Sequence, residues 1–210
     1  MRRLLPVWLV ALGLVTCQTR GSDADAANAD VLRIAQSFTN GGGYNTAWKG
    51  SGTPAAITFQ GENILAAGEG TYCCGFTFTV AMQAAVERGL LGEKTTAQIR
   101  QFQKEWYGAT DQSRERLCAT AMTTVGIGQA ISFEEAKPGD FVQFWRAKSG
   151  HSVLFLSWVE EKGEKVGLRY RSSQSATDGI GDRVEYFIKT ATTQNPINKE
   201  RTYFCRLNPR

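Results

Sequence analysis

The sequence predicts an α+β domain in which N-terminal helices pack on a C-terminal antiparallel sheet. Apolar residues recur at helical spacing in the first half, up to about residue 124. Beyond residue 137 they fall into short β-like runs separated by turn signals. Helices first and consecutive strands afterwards sort the chain into α+β rather than an alternating α/β order. The 210 residues, 42% hydrophobic and 21% charged, have a globular composition, with length for one domain plus a leader.

The leader is expected at residues 1–17. Arg2 and Arg3 form a basic start, and LLPVWLVALGLV is an apolar run of signal-peptide length, too short to span a bilayer as a helix. It ends at Leu14-Val15-Thr16-Cys17. This resembles a bacterial lipobox, with Thr16 where a smaller residue is usual, so the expectations are export and either acylation of Cys17 or cleavage nearby. The polar residues 18–29 read as a flexible tether, which leaves 30–210 as the functional domain. Without Arg2 and Arg3 the net charge falls from +4 to +2. So weak an excess, with no basic run, gives no support for nucleic-acid binding. The membrane enters only through the lipid anchor at Cys17.

Residues 30–38 carry Val31, Ile34 and Ala35 at helical spacing, with Asp30 as N-cap and a glycine run as the stop. The segment 55–60 reads as a short strand within a Gly/Ala/Thr-rich stretch. From Cys74 to about Leu91 the spacing of Phe76, Val80, Ala84 and Val86 predicts a buried helix, closed by Gly89 and Gly92. Two more helices are expected over 95–106 and 111–124. Strands follow over 141–145, 152–159, 166–171, 184–188 and 202–207.

The chemistry-bearing residues are two adjacent cysteines in TYCCGFTF and the only histidine, His151, in GHSVLF. A thiolate, not a thiol, is the nucleophile, and an ordinary cysteine titrates near 8.5. A helix N-terminus and a neighbouring imidazolium lower that value, and Cys73 stands where the buried helix begins. The first-turn N–H groups also suit a developing oxyanion. His151, at the start of a strand, would take the thiol proton and return it to a leaving amine. Gly75 allows close approach of backbone or substrate. In an oxidising compartment some cysteines pair, and Cys118 with Cys205 is the economical bridge if one of the vicinal pair stays free. A metal site built from Cys73, Cys74 and His151 is disfavoured, because adjacent cysteines rarely face one ion. No cofactor is expected.

Cys-x-Gly-Phe opening an apolar helix, then PGDFVQF at 138–144, then GHSVLF at 150–155, resembles the NlpC family of cell-wall cysteine peptidases, a branch of the papain-like superfold. The resemblance covers roughly residues 44–187. Where the family has Asp-Cys-Ser-Gly-Phe this chain has Tyr72-Cys73-Cys74-Gly75-Phe76, so the spacing to Gly75-Phe76 selects Cys73 as the nucleophile. The family's third residue, a polar group on the next strand, corresponds to Gln174, with Ser173 as the alternative. Tyr44 falls in a segment similar to a tyrosine-containing one near the family's site, though an ordinary turn tyrosine is the simpler reading. The resemblance implies an exported thiol peptidase or amidase acting on cell-wall peptide or another amide. The competing expectation is a catalytically inactive member serving as a binding or structural lipoprotein.

Overall fold

The computed structural model describes residues 21–190 and 193–209, so the expected leader and Cys17 lie outside the described residues. The chain begins with helix α1 (Gly21–Ser37), the two-residue strand β1 (Gly41–Gly42) and a hairpin of β2 (Ile57–Phe59) and β3 (Glu62–Leu65). Helices α2 (Cys73–Glu87), α3 (Thr96–Trp106) and α4 (Cys118–Val125) follow. The rest is sheet: β4 (Gly128–Ile131), β5 (Phe141–Trp145), β6 (Gly150–Glu161), β7 (Glu164–Gln174), β8 (Gly179–Tyr186) and β9 (Asn198–Leu207). These strands and β1 form one antiparallel sheet in the order β1-β8-β7-β6-β5-β9-β4. The α+β class expected from the sequence is what the chain adopts.

Helix α2 is the centre of the molecule. Phe76, Phe78, Val80, Ala81, Ala84 and Ala85 are fully buried, so this helix is apolar over most of its circumference, while Val86, expected on the buried stripe, is exposed near its C-terminal end. Its Thr and Val content lowers intrinsic helix propensity, and burial against α1, α3, β6 and β7 supplies the stability instead. Helix α3 is amphipathic and starts at a capping box: Thr95 accepts from the Gln98 N–H, and the Gln98 side chain accepts from the Thr95 N–H. Ile99, Phe102 and Trp106 form its buried stripe. Along β5 the pleat alternates, sending Phe141 into the helix-side core and Val142 and Phe144 into a second cluster with Val153, Phe155 and Tyr170.

Three expectations change. Helix α1 begins at Gly21, so most of the segment read as a tether is helical, and Asp30 lies inside the helix, facing Arg88, rather than capping it. The reason is tertiary. Asn28 is buried and donates to the Pro138 carbonyl at 2.9 Å and to Asp140 at 2.9 Å, which docks the polar start of α1 on the turn before β5. Helix α4 starts at Cys118, and residues 111–117 are turns that include Leu117 at φ 34°. The four described thiols, Cys73, Cys74, Cys118 and Cys205, are all free. Cys118 and Cys205 are both buried and remain free thiols rather than forming the expected disulfide, and burial, first, and the Cys118 neighbour push the Cys205 thiol well up.

Candidate active site

Cys73 opens α2 behind Tyr72, whose extended backbone (φ −138°, ψ 169°) sets the turn into the helix. The entry is fixed by close packing. A Cβ on Gly75 would lie 2.2 Å from the Gly52 carbonyl oxygen, so only glycine lets the first turn of α2 rest on the 51–52 loop. Gly52 itself has φ +61° and lies flat under the Tyr72 ring, where a Cβ would meet ring carbons at 2.3 Å. The close approach expected of Gly75 is thus to backbone.

His151 is the second residue of β6, paired across the ladder with Phe144. Edge-on contacts to the Phe144 and Tyr170 rings, each at 5.6 Å, leave its plane little freedom. Gln174 is the last residue of β7. Its Nε2 donates to the Gly181 carbonyl at 3.2 Å and to Thr177 Oγ1, which turns Oε1 toward His151 Nε2 at 3.4 Å. An acceptor at that position favours the tautomer protonated on Nε2, leaving Nδ1 for the thiol. Cys73 and the imidazole line the same cleft, close enough for the ring to favour the thiolate. The structure therefore brings all three sequence-predicted residues, Cys73, His151 and Gln174, into one chain of contacts. Ser173, the alternative third residue, bonds Thr71 Oγ1 at 2.7 Å and braces the segment before α2 instead.

Electrostatics separates the two cysteines. The Cys73 thiol is held well below its usual value, first by the Cys74 thiol donating to it, against the opposing effect of burial, then by the His151 charge, the His151 hydrogen bond and the Ser152 N–H. The Cys74 thiol is pushed well up by that same bond to Cys73 and by burial. Here the geometry departs from the sequence expectation. The N–H groups of Cys74 and Gly75 favour the Cys74 thiolate, whereas the backbone N–H that favours the Cys73 thiolate is that of Ser152, from the histidine strand. Tyr44 bridges to Thr71, and its hydroxyl is pushed up to about 12 by partial burial and by the nearby Cys73 and Cys74.

The pair lies at the base of a cleft of about 270 Å³. Its walls are Trp48, Tyr72, Tyr107, Leu117 and Trp145; the sequence marked Tyr72 only as the residue before the nucleophile and gave the others no role. They come from the 44–50 loop, the start of α2, the end of α3, the turn before α4 and the end of β5. No periodicity links positions so far apart in the chain. Among the described residues, no three His, Cys, Asp or Glu side chains are grouped to hold a metal ion. No helix among them is long and apolar enough to cross a membrane.

No family model matches the chain, and neither the curated proteins nor the solved structures give a match.

Proposed function

We propose that the protein is a thiol hydrolase of NlpC type on a papain-like fold, exported and cleaving an amide bond, with cell-wall peptide as the substrate class its motifs imply. The observation that carries the reading is the contact chain from Cys73 through His151 to Gln174, with Cys73 the thiol whose proton is held most weakly. In the first half-reaction the Cys73 thiolate attacks the carbonyl carbon and a C–S bond forms. The Cys73 N–H, the first of α2, is the donor to the charge that develops on oxygen. The C–N bond then breaks, and imidazolium His151 gives its proton to the departing amine. In the second half-reaction neutral His151 takes a proton from water, the resulting hydroxide attacks the thioester, and the acid leaves as the C–S bond breaks. Gln174 holds the ring in the orientation both transfers need.

Hydrolysis of isolated cell-wall fragments, followed by mass spectrometry, tests the reading. The wild-type protein should release new amine and carboxyl termini, and a thioester adduct on Cys73 should be trapped on acid quenching. Cys73→Ala should lower the rate about 10⁴-fold or more. Equal turnover by wild type and Cys73→Ala would refute the reading.

A further inference from the structure

The walls of the Cys73 cleft say what it can hold. Apart from Cys73 and His151, no charged side chain lines it among the described residues. The polar atoms of the wall are turned into the protein. The Tyr72 hydroxyl donates to the Gly50 carbonyl at 2.6 Å, the Tyr107 hydroxyl to the Ser51 carbonyl at 2.7 Å, and Trp145 Nε1 to the Glu115 carbonyl at 2.7 Å. Gln143, on the cleft floor, gives its Nε2 to the Phe144 carbonyl and takes the Ser152 hydroxyl on its Oε1 at 2.6 Å. What remains facing the cleft beside the catalytic pair is mostly ring face and methyl.

Backbone strain marks the same walls. Trp48 (φ 55°) and Leu117 (φ 34°) are two of the five described non-glycine residues with positive φ. Bulky side chains rarely adopt that region, and such strain collects at sites of function. Trp48 stays 55% exposed at the rim, its ring 5.1 Å from that of Tyr72 and tilted 35° to it. An apolar side chain kept in water and in a disfavoured conformation is spent on something outside the fold.

We propose that the cleft selects an uncharged, apolar acyl group, aromatic or branched aliphatic, on the carbonyl that Cys73 attacks. The inference rests on the hydrolase reading and narrows it. In the thioacyl state the acyl group is tethered to the Cys73 sulfur and must lie in the space beside it. That space equals about nine water volumes, room for one side chain rather than a polymer. A carboxylate there would lose its hydration and, beyond the His151 imidazolium already paired with the Cys73 thiolate, meet no cation among the described wall residues.

The test compares three alkylating probes on the intact folded protein, with labelling of Cys73 read by peptide mass spectrometry. Iodoacetamide reports the thiolate alone. N-acetyl-phenylalanyl and N-acetyl-glutamyl chloromethyl ketones report the acyl preference, the thiolate displacing chloride in each. With the phenylalanyl ring buried in the cleft, that probe should react about thirtyfold faster than the glutamyl probe. Trp48→Lys, which brings a cation to the exposed rim, should narrow the ratio at least about fivefold. Fast iodoacetamide labelling with a ratio near one, or one favouring the glutamyl probe, overturns the acyl preference and leaves the hydrolase reading standing. An unchanged ratio in Trp48→Lys places the preference outside this cleft and also overturns the assignment. Slow iodoacetamide labelling below pH 7 removes the hydrolase reading and the inference together.

Discussion

At the scale of single residues, Cys74 is a working neighbour of Cys73. Its thiol donates to the Cys73 sulfur and is the largest influence lowering that group. Removing the donor in Cys74→Ala should slow Cys73 alkylation at pH 6 about tenfold, the worth of a hydrogen bond to a charged group. Cys74→Ser retains a hydroxyl donor and should recover most of the rate; equal rates in all three proteins would make Cys74 a spectator. Gln174→Ala frees the imidazole of its one polar restraint on β7 and should lower kcat about tenfold to a hundredfold with KM little changed, measured on the fragment substrate. Cys73 and His151 were legible in the sequence because their chemistry depends on residue types that are scarce here: one histidine, and a cysteine opening a buried helix. The role of Cys74 was not legible. Neighbours on a helix diverge by about 100°, and only the fold shows that the two sulfurs nevertheless influence each other's titration, Cys73 lowered and Cys74 raised.

At the scale of elements, the strand after the Pro-Gly-Asp turn has the bounds its pattern predicts, Phe141–Trp145, and the capped helix begins within one residue of its expected start. Strong local signals fixed these: a turn with a fixed φ at proline, a capping box, an apolar run broken only by Gln143. Strands β1 and β4 carry no such signal. β1 is two glycines recruited by β8, and β4 (GQAI) is an edge strand defined by pairing with β9. The sheet beside the site is tied by Glu185 on β8, which accepts from Arg146 at 2.9 Å and from the Tyr170 hydroxyl at 2.7 Å. Burial alone would raise the Glu185 carboxyl, but the Arg146 hydrogen bonds and charge hold it below the usual 4.5. A depressed folded value means this contribution to stability is full above about pH 4.5 and is lost as pH falls through the folded value. Glu185→Gln should therefore cost about 3 kcal/mol near neutrality and flatten the acid limb of the stability curve. Urea titrations at pH 7 and pH 3 check both; an unchanged acid limb would contradict the assignment.

At the scale of the whole molecule, the Pro-Gly-Asp motif is a structural hub. Asp140 is fully buried and takes Arg206 of β9 at 2.6 and 2.7 Å, the Lys137 N–H at 2.7 Å and Asn28 of α1 at 2.9 Å. One carboxylate thus joins the first helix, the turn that launches the site strands and the last strand, residues separated by most of the chain. Asp140→Ala leaves the Arg206 guanidinium without its buried counter-charge and should destabilise by about 4 kcal/mol, seen as a lower urea midpoint with an unchanged slope. The sequence motif marked this residue, while its partners at positions 28 and 206 became visible only in the fold. The central claim is that this scaffold holds Cys73 as a thiolate beside His151. The most direct measurement is the rate of Cys73 alkylation by iodoacetamide against pH, in wild type and His151→Ala. A lowered Cys73 value puts more thiolate on the wild-type protein at any given pH, so labelling should already be fast below pH 7, and His151→Ala should move the profile up toward the ordinary thiol range near 8.5. Superimposable profiles, both rising only near 8.5, would contradict the account.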